Sequence, residues 1–322
     1  MMKSPGGFKT RHWPRRRVLA GLAGTAASVA VTSGAQAQFD FNVGGFDLGG
    51  MFSAAKSLFE GITLGEEDEI KIGVGLYPRM IASFGGAYRN SKVQSAMRRF
   101  ADPLIRTTAR PNLPWEIVVL DDNTVNAWAL PGGKLAVNKG LLQYTASDHE
   151  LAAVIAHEIG HVEKSHALKE MRSGKFTSFV TEAGAVAIRS QAESGAETFM
   201  TDMVLDALSS AIIKLVTSGY SRSAELEADS HLLHVFDLAG YDPKLASGFY
   251  LTLLQLIPPD AKGSTSLFST HPETRERADR LDELSVGLPS PQFKAASRGY
   301  ADLKRVFPTR EYFRRNPEYS RS

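Results

Sequence analysis

The stretch that most constrains this chain runs from Ser147 to Met171, SDHELAAVIAHEIGHVEKSHALKEM. Ser147 followed three residues later by Glu150 is a capping box, which satisfies exposed backbone N–H groups where a helix starts. Leu151, Val154, Ile155, Ile159 and Val162 recur at helical spacing, so one face of that helix belongs in a core. His157-Glu158-Ile159-Gly160-His161 lies inside it, an HExxH pattern. Residues four apart stack on one helix face, with Cβ atoms about 5–6 Å apart. Two imidazoles so placed reach one zinc ion at about 2.0–2.1 Å each. Glu158 is rotated about the axis, where it can take a proton from water without being a ligand. Gly160 is a poor helix former, and its missing side chain would let another element come close. The pattern alone also fits two partly buried histidines satisfied by backbone or carboxylate, so the rest of the chain has to decide.

Of 322 residues, 43% are hydrophobic and 22% charged, which suits one globular catalytic domain with extensions. The first 37 residues stand apart. They carry Lys3, Lys9, Arg11, Arg15, Arg16 and Arg17 and no acid, then an apolar run from Val18 to Val31, then Ala35-Gln36-Ala37. That order is a secretory signal peptide, too weakly apolar to span a membrane. Arg15-Arg16-Arg17-Val18-Leu19 also resembles a twin-arginine signal, although valine replaces the usual phenylalanine. An ordinary basic Sec-type leader fits as well. Without those six basic residues, Lys plus Arg falls from 37 to 31 against 35 acids, so the mature chain is near −4. No basic patch with interleaved aromatics is present, which excludes nucleic acid as a partner. Cysteine is absent, so neither disulfides nor a lipidated cysteine can operate. The expected location is the periplasm of a bacterium, with no transmembrane span in the mature chain and at most peripheral association with the envelope membrane or its assembly machinery.

Residues 38–65 form a Gly/Phe-rich extension. Phe52, Ala55, Leu58 and Phe59 suggest a short amphipathic helix that packs on the body or touches a membrane surface. Residues 66–75 are mixed in character. A helix follows over about 90–109, with a break or kink expected at Pro103. Three short strands are predicted, Trp115–Leu120, Asn126–Leu130 and Lys134–Val137, as a small β-meander set before the HExxH helix. Residues 172–218 are helical in character without an apolar run long enough to cross a membrane. Further helices are expected over Tyr220–Leu238, stopped by Gly240, over Lys244–Ile257, and from Pro272 to about Leu284. The fold class is therefore α+β and mostly helical, with a catalytic domain over 66–285 and a C-terminal extension over 286–322.

A catalytic zinc usually takes three protein ligands. The metzincin pattern fails, because Lys164 and Ala167 stand where it needs glycine and histidine. Glu182 has no acid four residues on. Glu225-Leu226-Glu227-Ala228-Asp229 is better: Glu225 and Asp229 share a helix face, so Glu225 can ligate while Asp229 accepts the outer N–H of a ligating histidine. A solvated acidic face is the plainer meaning of such a cluster, but it sits poorly with Leu232, Leu233, Val235 and Phe236 around it.

NAWALPGG (126–133), Gly140-Leu141, HEIGH with His166 beyond, YSRSAELEAD (220–229) and STHPETRERADRL (269–281) together resemble the HtpX/CAAX-prenyl-endopeptidase-type gluzincin metallopeptidases, over about residues 66–285. The chain differs from HtpX and the prenyl endopeptidases in lacking membrane spans, and so is similar to soluble periplasmic members. The resemblance implies one zinc per chain held by His157, His161 and Glu225, Glu158 as general base, and a cleft bordered by the strand Asn126, Ala127, Trp128, Ala129 and Leu130. The expected reaction is endoproteolysis of protein or peptide substrates, held extended by adding to an exposed sheet edge. Backbone pairing of that kind suits quality control of unfolded or misassembled envelope proteins. Tyr220, Arg222 and His231 are candidate transition-state stabilisers, and each also fits packing or a surface ion pair. His271, stiffened at a loop-to-helix junction by Pro272, is a candidate fourth ligand or gate, or else a helix cap. The rival reading is a zinc-bearing, chaperone-like binding module with little turnover, for which an intact Glu158 has no use. A purely structural metal site is disfavoured by three ligands in place of four.

Overall fold

A computed structural model describes residues 42–43, 46–47, 65–171, 212–256, 271, 274–291 and 297–309. The expected signal peptide, the helix around Phe52 and Glu182 lie outside the described residues. The chain divides into two compact units, residues 1–49 and 50–322. In the first, β1 (Asn42–Val43) and β2 (Phe46–Asp47) pair antiparallel.

The second unit opens with α1 (Glu66–Ser83), where the sequence reads as mixed. Gly73, Gly75 and Pro78 lower its intrinsic propensity, but its start is well supported. Asp68 accepts from the Gly65 N–H at 3.1 Å, and four acids occupy the first turn, where the helix dipole favours negative charge. Gly73 serves packing, since a Cβ there would lie 2.0 Å from the Pro131 carbonyl oxygen, so only glycine lets α1 cross the Pro131–Gly133 turn in contact. Helix α2 (Ser91–Ile105) is capped by Asn90, whose side chain accepts from the Lys92 and Val93 N–H groups. The expected break at Pro103 does not occur; the helix runs through the proline and stops two residues later.

Strands β3 (Glu116–Leu120), β4 (Ala127–Leu130) and β5 (Lys134–Asn138) form one sheet in the order β3-β5-β4. The three expected strands are present, but the expected meander is not. β3 pairs with β5 in parallel, Ile117 opposite Leu135, and β4 pairs with β5 antiparallel, Ala127 opposite Val137. The short turn Pro131–Gly133, with Gly132 and Gly133 at positive φ, closes β4 and β5 into a hairpin, and β3 takes the far side of β5; β4 and β5 are both wholly buried, whereas β3 mixes exposed and buried positions. The β3–β4 link then lies against the start of α3 (Lys139–Leu142). A Cβ on Gly140 would meet the Asn123 carbonyl at 2.1 Å.

The HExxH helix is α4 (Asp148–Glu163). Ser147 caps it, accepting from the Glu150 N–H at 3.3 Å, while the Glu150 carboxylate reaches one residue further back to the Ala146 N–H at 2.8 Å. Helix α4 packs on α6 (Arg222–Ala239) through Gly160, where a Cβ would stand 3.1 Å from the Ala228 Cα. The helix does not run on to Met171. Ser165 takes a left-handed backbone, φ 52°, and α5 (His166–Met171) starts afresh. Arg110 supports that break by donating to the Ser165 hydroxyl and to the Val162 carbonyl, both at 3.1 Å.

Gly240, at φ 73°, ends α6 in the left-handed conformation that glycine adopts without strain. A 3-10 turn (Pro243–Leu245) and α7 (Gly248–Leu256) replace the single helix expected from Lys244. Then come α8 (Thr274–Ser285) and α9 (Arg298–Val306). Helix α9 lies on α2, with Gly299 against the Ala96 carbonyl, and Leu303 and Phe307 join the main core. Over 298–307, therefore, the expected C-terminal extension shares the core of the domain before it. The class is α+β and mostly helical, and no helix among the described residues is long and apolar enough to cross a membrane.

Candidate metal centre

The i,i+4 spacing on α4 puts the His157 and His161 rings side by side, with their Nε2 atoms 3.0 Å apart. Glu225, in the first turn of α6, faces both: its Oε2 is 3.4 Å from His157 Nε2 and its Oε1 is 3.5 Å from His161 Nε2. Ser221 fixes that turn by accepting from the Ala224 N–H. His271 completes the group, with Nδ1 3.3 Å from His157 Nε2 and 2.8 Å from Glu225 Oε2. One ligand atom from each of these four buried residues lies within 4.8 Å of the others. Glu158 points its Oε1 towards His271 Nε2 at 3.6 Å, beside the group rather than in it.

Behind this layer, Asp229 accepts from His157 Nδ1 at 3.0 Å, the placement expected from its spacing. What holds Asp229 is not evident from the sequence. Arg277 of α8 donates through Nε and Nη2 to both Asp229 oxygens at 2.7 Å, and its Nη1 lies 2.7 Å from Glu225 Oε2. Its Nη2 also donates to the Tyr250 hydroxyl at 2.7 Å, and Tyr250 in turn donates to Asp229. A signal for Arg277 does exist: it shares its stretch with Ala278 and Leu281, both buried, so an arginine there has to be buried and paired. Nothing local marks Tyr250.

Of the three candidate stabilisers, only Tyr220 is at the site, its ring stacked on His161 at 4.1 Å. Arg222 is exposed and pairs with Glu276, because it starts α6 on the outward side. His231 lies almost two turns beyond Glu225 and faces Glu163 at 3.2 Å. The strand Asn126–Leu130 is terminal in the sheet, where a meander in chain order puts it in the middle, but the exposed edge expected of it is not there. None of its residues is more than 3% accessible. Ala129 and Leu130 line one narrow gap with His161, Ala167, Leu168 and Tyr220, which places α5 and Tyr220 beside that strand.

The electrostatics are those of a buried charged cluster. Burial and Arg277 oppose charge on His157, but hydrogen bonds to Asp229 and Glu225 outweigh them and push its pKa up to about 9. A cation that takes Nε2 must displace that proton. Burial, then the His157 charge, holds His161 well below the usual histidine range. Burial raises Glu158. It also opposes ionisation of Glu225 and Asp229, yet His271 and His157 hold Glu225 well below the carboxylate range, and Arg277 does the same for Asp229.

These residues fit a divalent cation. A tetrahedral site with bonds of about 2.0–2.1 Å has edges of roughly 3.3–3.4 Å, and the separations of 3.0, 3.4 and 3.5 Å among His157, His161 and Glu225 lie close to that. Glu225 Oε1 is buried without a hydrogen-bond partner. Once a cation has displaced the His157 proton, the ionised carboxylates of Glu158, Glu225 and Asp229 exceed the one buried guanidinium, Arg277, by two charges, which a divalent cation balances.

Comparison with known proteins agrees with this chemistry. The description of peptidase family M48 matches residues 87–285. The metalloprotease YcaL of Escherichia coli (strain K12) is 27% identical over 267 residues, covering 83% of this chain and 97% of that protein. The mitochondrial metalloendopeptidase OMA1 of Arabidopsis thaliana is 29% identical over 194 residues, which is 60% of this chain but 36% of OMA1. The beta-barrel assembly-enhancing protease of Escherichia coli (strain K12) is 24% identical over 180 residues, 54% of this chain and 36% of that protein. The gluzincin resemblance read from the motifs holds at the level of the family.

Proposed function

Because this chain belongs to peptidase family M48, and the matched span carries the whole four-residue cluster, we propose that it is a zinc endopeptidase that cleaves unfolded or misassembled proteins of the bacterial envelope. The metalloendopeptidase class is that of the family and of its named relatives. The observation that carries the reading is the convergence of His157, His161 and Glu225 beside a buried Glu158.

Bound zinc would polarise a peptide carbonyl and lower the pKa of water towards about 7. His157, His161 and Glu225 would hold it. Asp229 keeps the hydrogen of His157 on Nδ1, so that Nε2 presents a lone pair. The Glu158 carboxylate takes a proton from the attacking water and returns it to the leaving amine nitrogen. Its raised affinity for a proton, caused by burial, suits that exchange. Burial also pushes the Tyr220 hydroxyl up, so it keeps its proton and can donate to developing negative charge. His271, whose Nδ1 lies 2.8 Å from Glu225 Oε2 and 3.3 Å from His157 Nε2, would serve as a further ligand or as a gate that substrate displaces. Substrate backbone pairs with Ala127–Leu130, the terminal strand of the sheet, once α5 and Tyr220 move aside.

The envelope setting draws its support from the basic, apolar, Ala-Gln-Ala leader and from the name of the beta-barrel assembly-enhancing relative. The same features support peripheral association with the envelope membrane or its assembly machinery. The test is Glu158→Gln. It should retain about one zinc per chain while casein cleavage falls roughly 100-fold or more, the scale of a lost general base. Near-normal cleavage by that variant overturns the role of Glu158. Cleavage by the wild type that a chelator leaves unchanged overturns the zinc reading.

A further inference from the structure

We infer that His161 is positioned from behind by a second histidine, His166, itself held by Glu227, and that this three-residue relay sets the tautomer and metal affinity of His161. The inference rests on the metal-site reading above. His161 turns Nε2 towards His157 and Glu225, at 3.0 and 3.5 Å, so its Nδ1 faces away from them. That Nδ1 lies 2.8 Å from His166 Nδ1, and His166 Nε2 lies 3.1 Å from Glu227 Oε2. Both rings are 1% exposed.

Two ring nitrogens at 2.8 Å hold together only if one carries hydrogen and the other a lone pair. A His161 that offers Nε2 to a metal keeps its hydrogen on Nδ1 and donates it to His166 Nδ1. His166 then carries hydrogen on Nε2 and donates it to Glu227. The far end is an ionised carboxylate, which only accepts, so the direction of the chain is fixed at both ends. His157 is served differently, by Asp229 directly. The acids of Glu225-Leu226-Glu227-Ala228-Asp229 thus have three separate tasks: one faces the metal position, one backs His157, and one backs His161 through His166.

The backbone is built for this contact. His166 follows His161 by five residues, one more than a continuous helix would bring onto the same face. The left-handed Ser165 ends α4 and turns His166 back against the His161 ring. Tyr220 stacks on the His161 ring, centroids 4.1 Å apart, and stands tilted 5.9 Å from the His166 ring. Glu227 is partly open to solvent, with Lys169 Nζ 3.4 Å from it, so its charge is not spent on a buried guanidinium as that of Asp229 is.

The experiment measures the zinc dissociation constant of the full chain by competition with a chromogenic chelator, a readout independent of proteolysis. His166→Leu should bind zinc about 10–100-fold more weakly, the usual effect of losing such a partner. His166→Asn keeps an acceptor near the Nδ1 position but not the link to Glu227, so its loss should match that of Glu227→Ala and fall between leucine and wild type. Glu227→Ala should weaken binding on its own but add nothing in the His166→Leu background, because a relay fails as a unit. If the leucine variant does not fold, the asparagine and Glu227→Ala variants carry the test. Wild-type affinity in Glu227→Ala, or losses that simply add in the double variant, overturn the relay. A wild-type chain that fails to hold zinc would instead overturn the metal-site reading.

Discussion

Replacing Arg277 with leucine should destabilise this protein more than any surface change. The guanidinium is 1% exposed and meets Asp229 twice at 2.7 Å, Glu225 at 2.7 Å and the Tyr250 hydroxyl at 2.7 Å. Leucine is apolar and fills part of the space, so the main effect is two buried carboxylates left without their cation. Breaking a buried pair from one side costs about 3–5 kcal/mol. For a domain of this size each kcal/mol moves the melting temperature by about 2–4 °C, so the fall should be roughly 6–20 °C. Arg277→Lys keeps the charge, but one ammonium cannot span both carboxylates, so it should fall between leucine and wild type. Adding Asp229→Asn to Arg277→Leu removes one stranded charge, and the double variant should lose less than the sum of its parts. Zinc should restore part of the loss, because a cation on Glu225 replaces the guanidinium there but not at Asp229. Calorimetric melting with and without chelator reads all four effects. A fall below about 1 kcal/mol for Arg277→Leu, with strictly additive behaviour beside Asp229→Asn, would refute the argument.

Two further outcomes follow from residues already placed. Burial pushes Glu150 up to about 7, against the Ala146 N–H, the Thr252 hydroxyl and Lys304, which favour its charge. Its folded pKa is above the unfolded value, so this group's contribution is full below about pH 4.5 and is lost as pH rises through about 7, a total near 3 kcal/mol. Glu150→Gln should therefore flatten the decline in urea stability between pH 5 and 7.5, and an unchanged slope would mean other groups cause it. His271→Ala should keep zinc and cleave a small peptide faster if His271 closes the fourth position; reduced cleavage with full zinc occupancy would make it a donor to the reaction instead.

The fold is legible in the sequence where a signal is local. The Ser147 cap, the Asn126–Leu130 and Lys134–Val137 strands and the Gly240 stop are all readable from short spacings, and the structure has each of them. Helix α1 is not, because its glycines argue against a helix and their reason lies elsewhere: Gly73 is required by Pro131, nearly sixty residues away. The sheet order is hidden for a related cause. Short strands in sequence suggest neighbours in sequence, but only β4 and β5 form a hairpin here, and β3 pairs in parallel on the far side of β5, a contact that no local spacing marks.

The same division runs through the candidate site. Contacts along one helix follow from spacing, so His157 pairs with His161, and Glu225 with Asp229, on the sequence alone. The placement of Asp229 behind His157 extends that logic across two helices, and it holds because Gly160 allows close approach at one point, Ala228. Beyond that point spacing says nothing. Arg277 reaches Asp229 across 48 residues, and Tyr250 reaches it across 21. His166 is visible as a histidine beyond the motif, but its use depends on a helix break at a serine, which no helix-propensity rule predicts. The illegible part is the second layer, the groups that hold the first in place. That layer can be anticipated by counting charge. A core that takes in Glu158, Glu225 and Asp229 must take in cations as well, and Arg277 is the arginine whose neighbours, Ala278 and Leu281, place it inside.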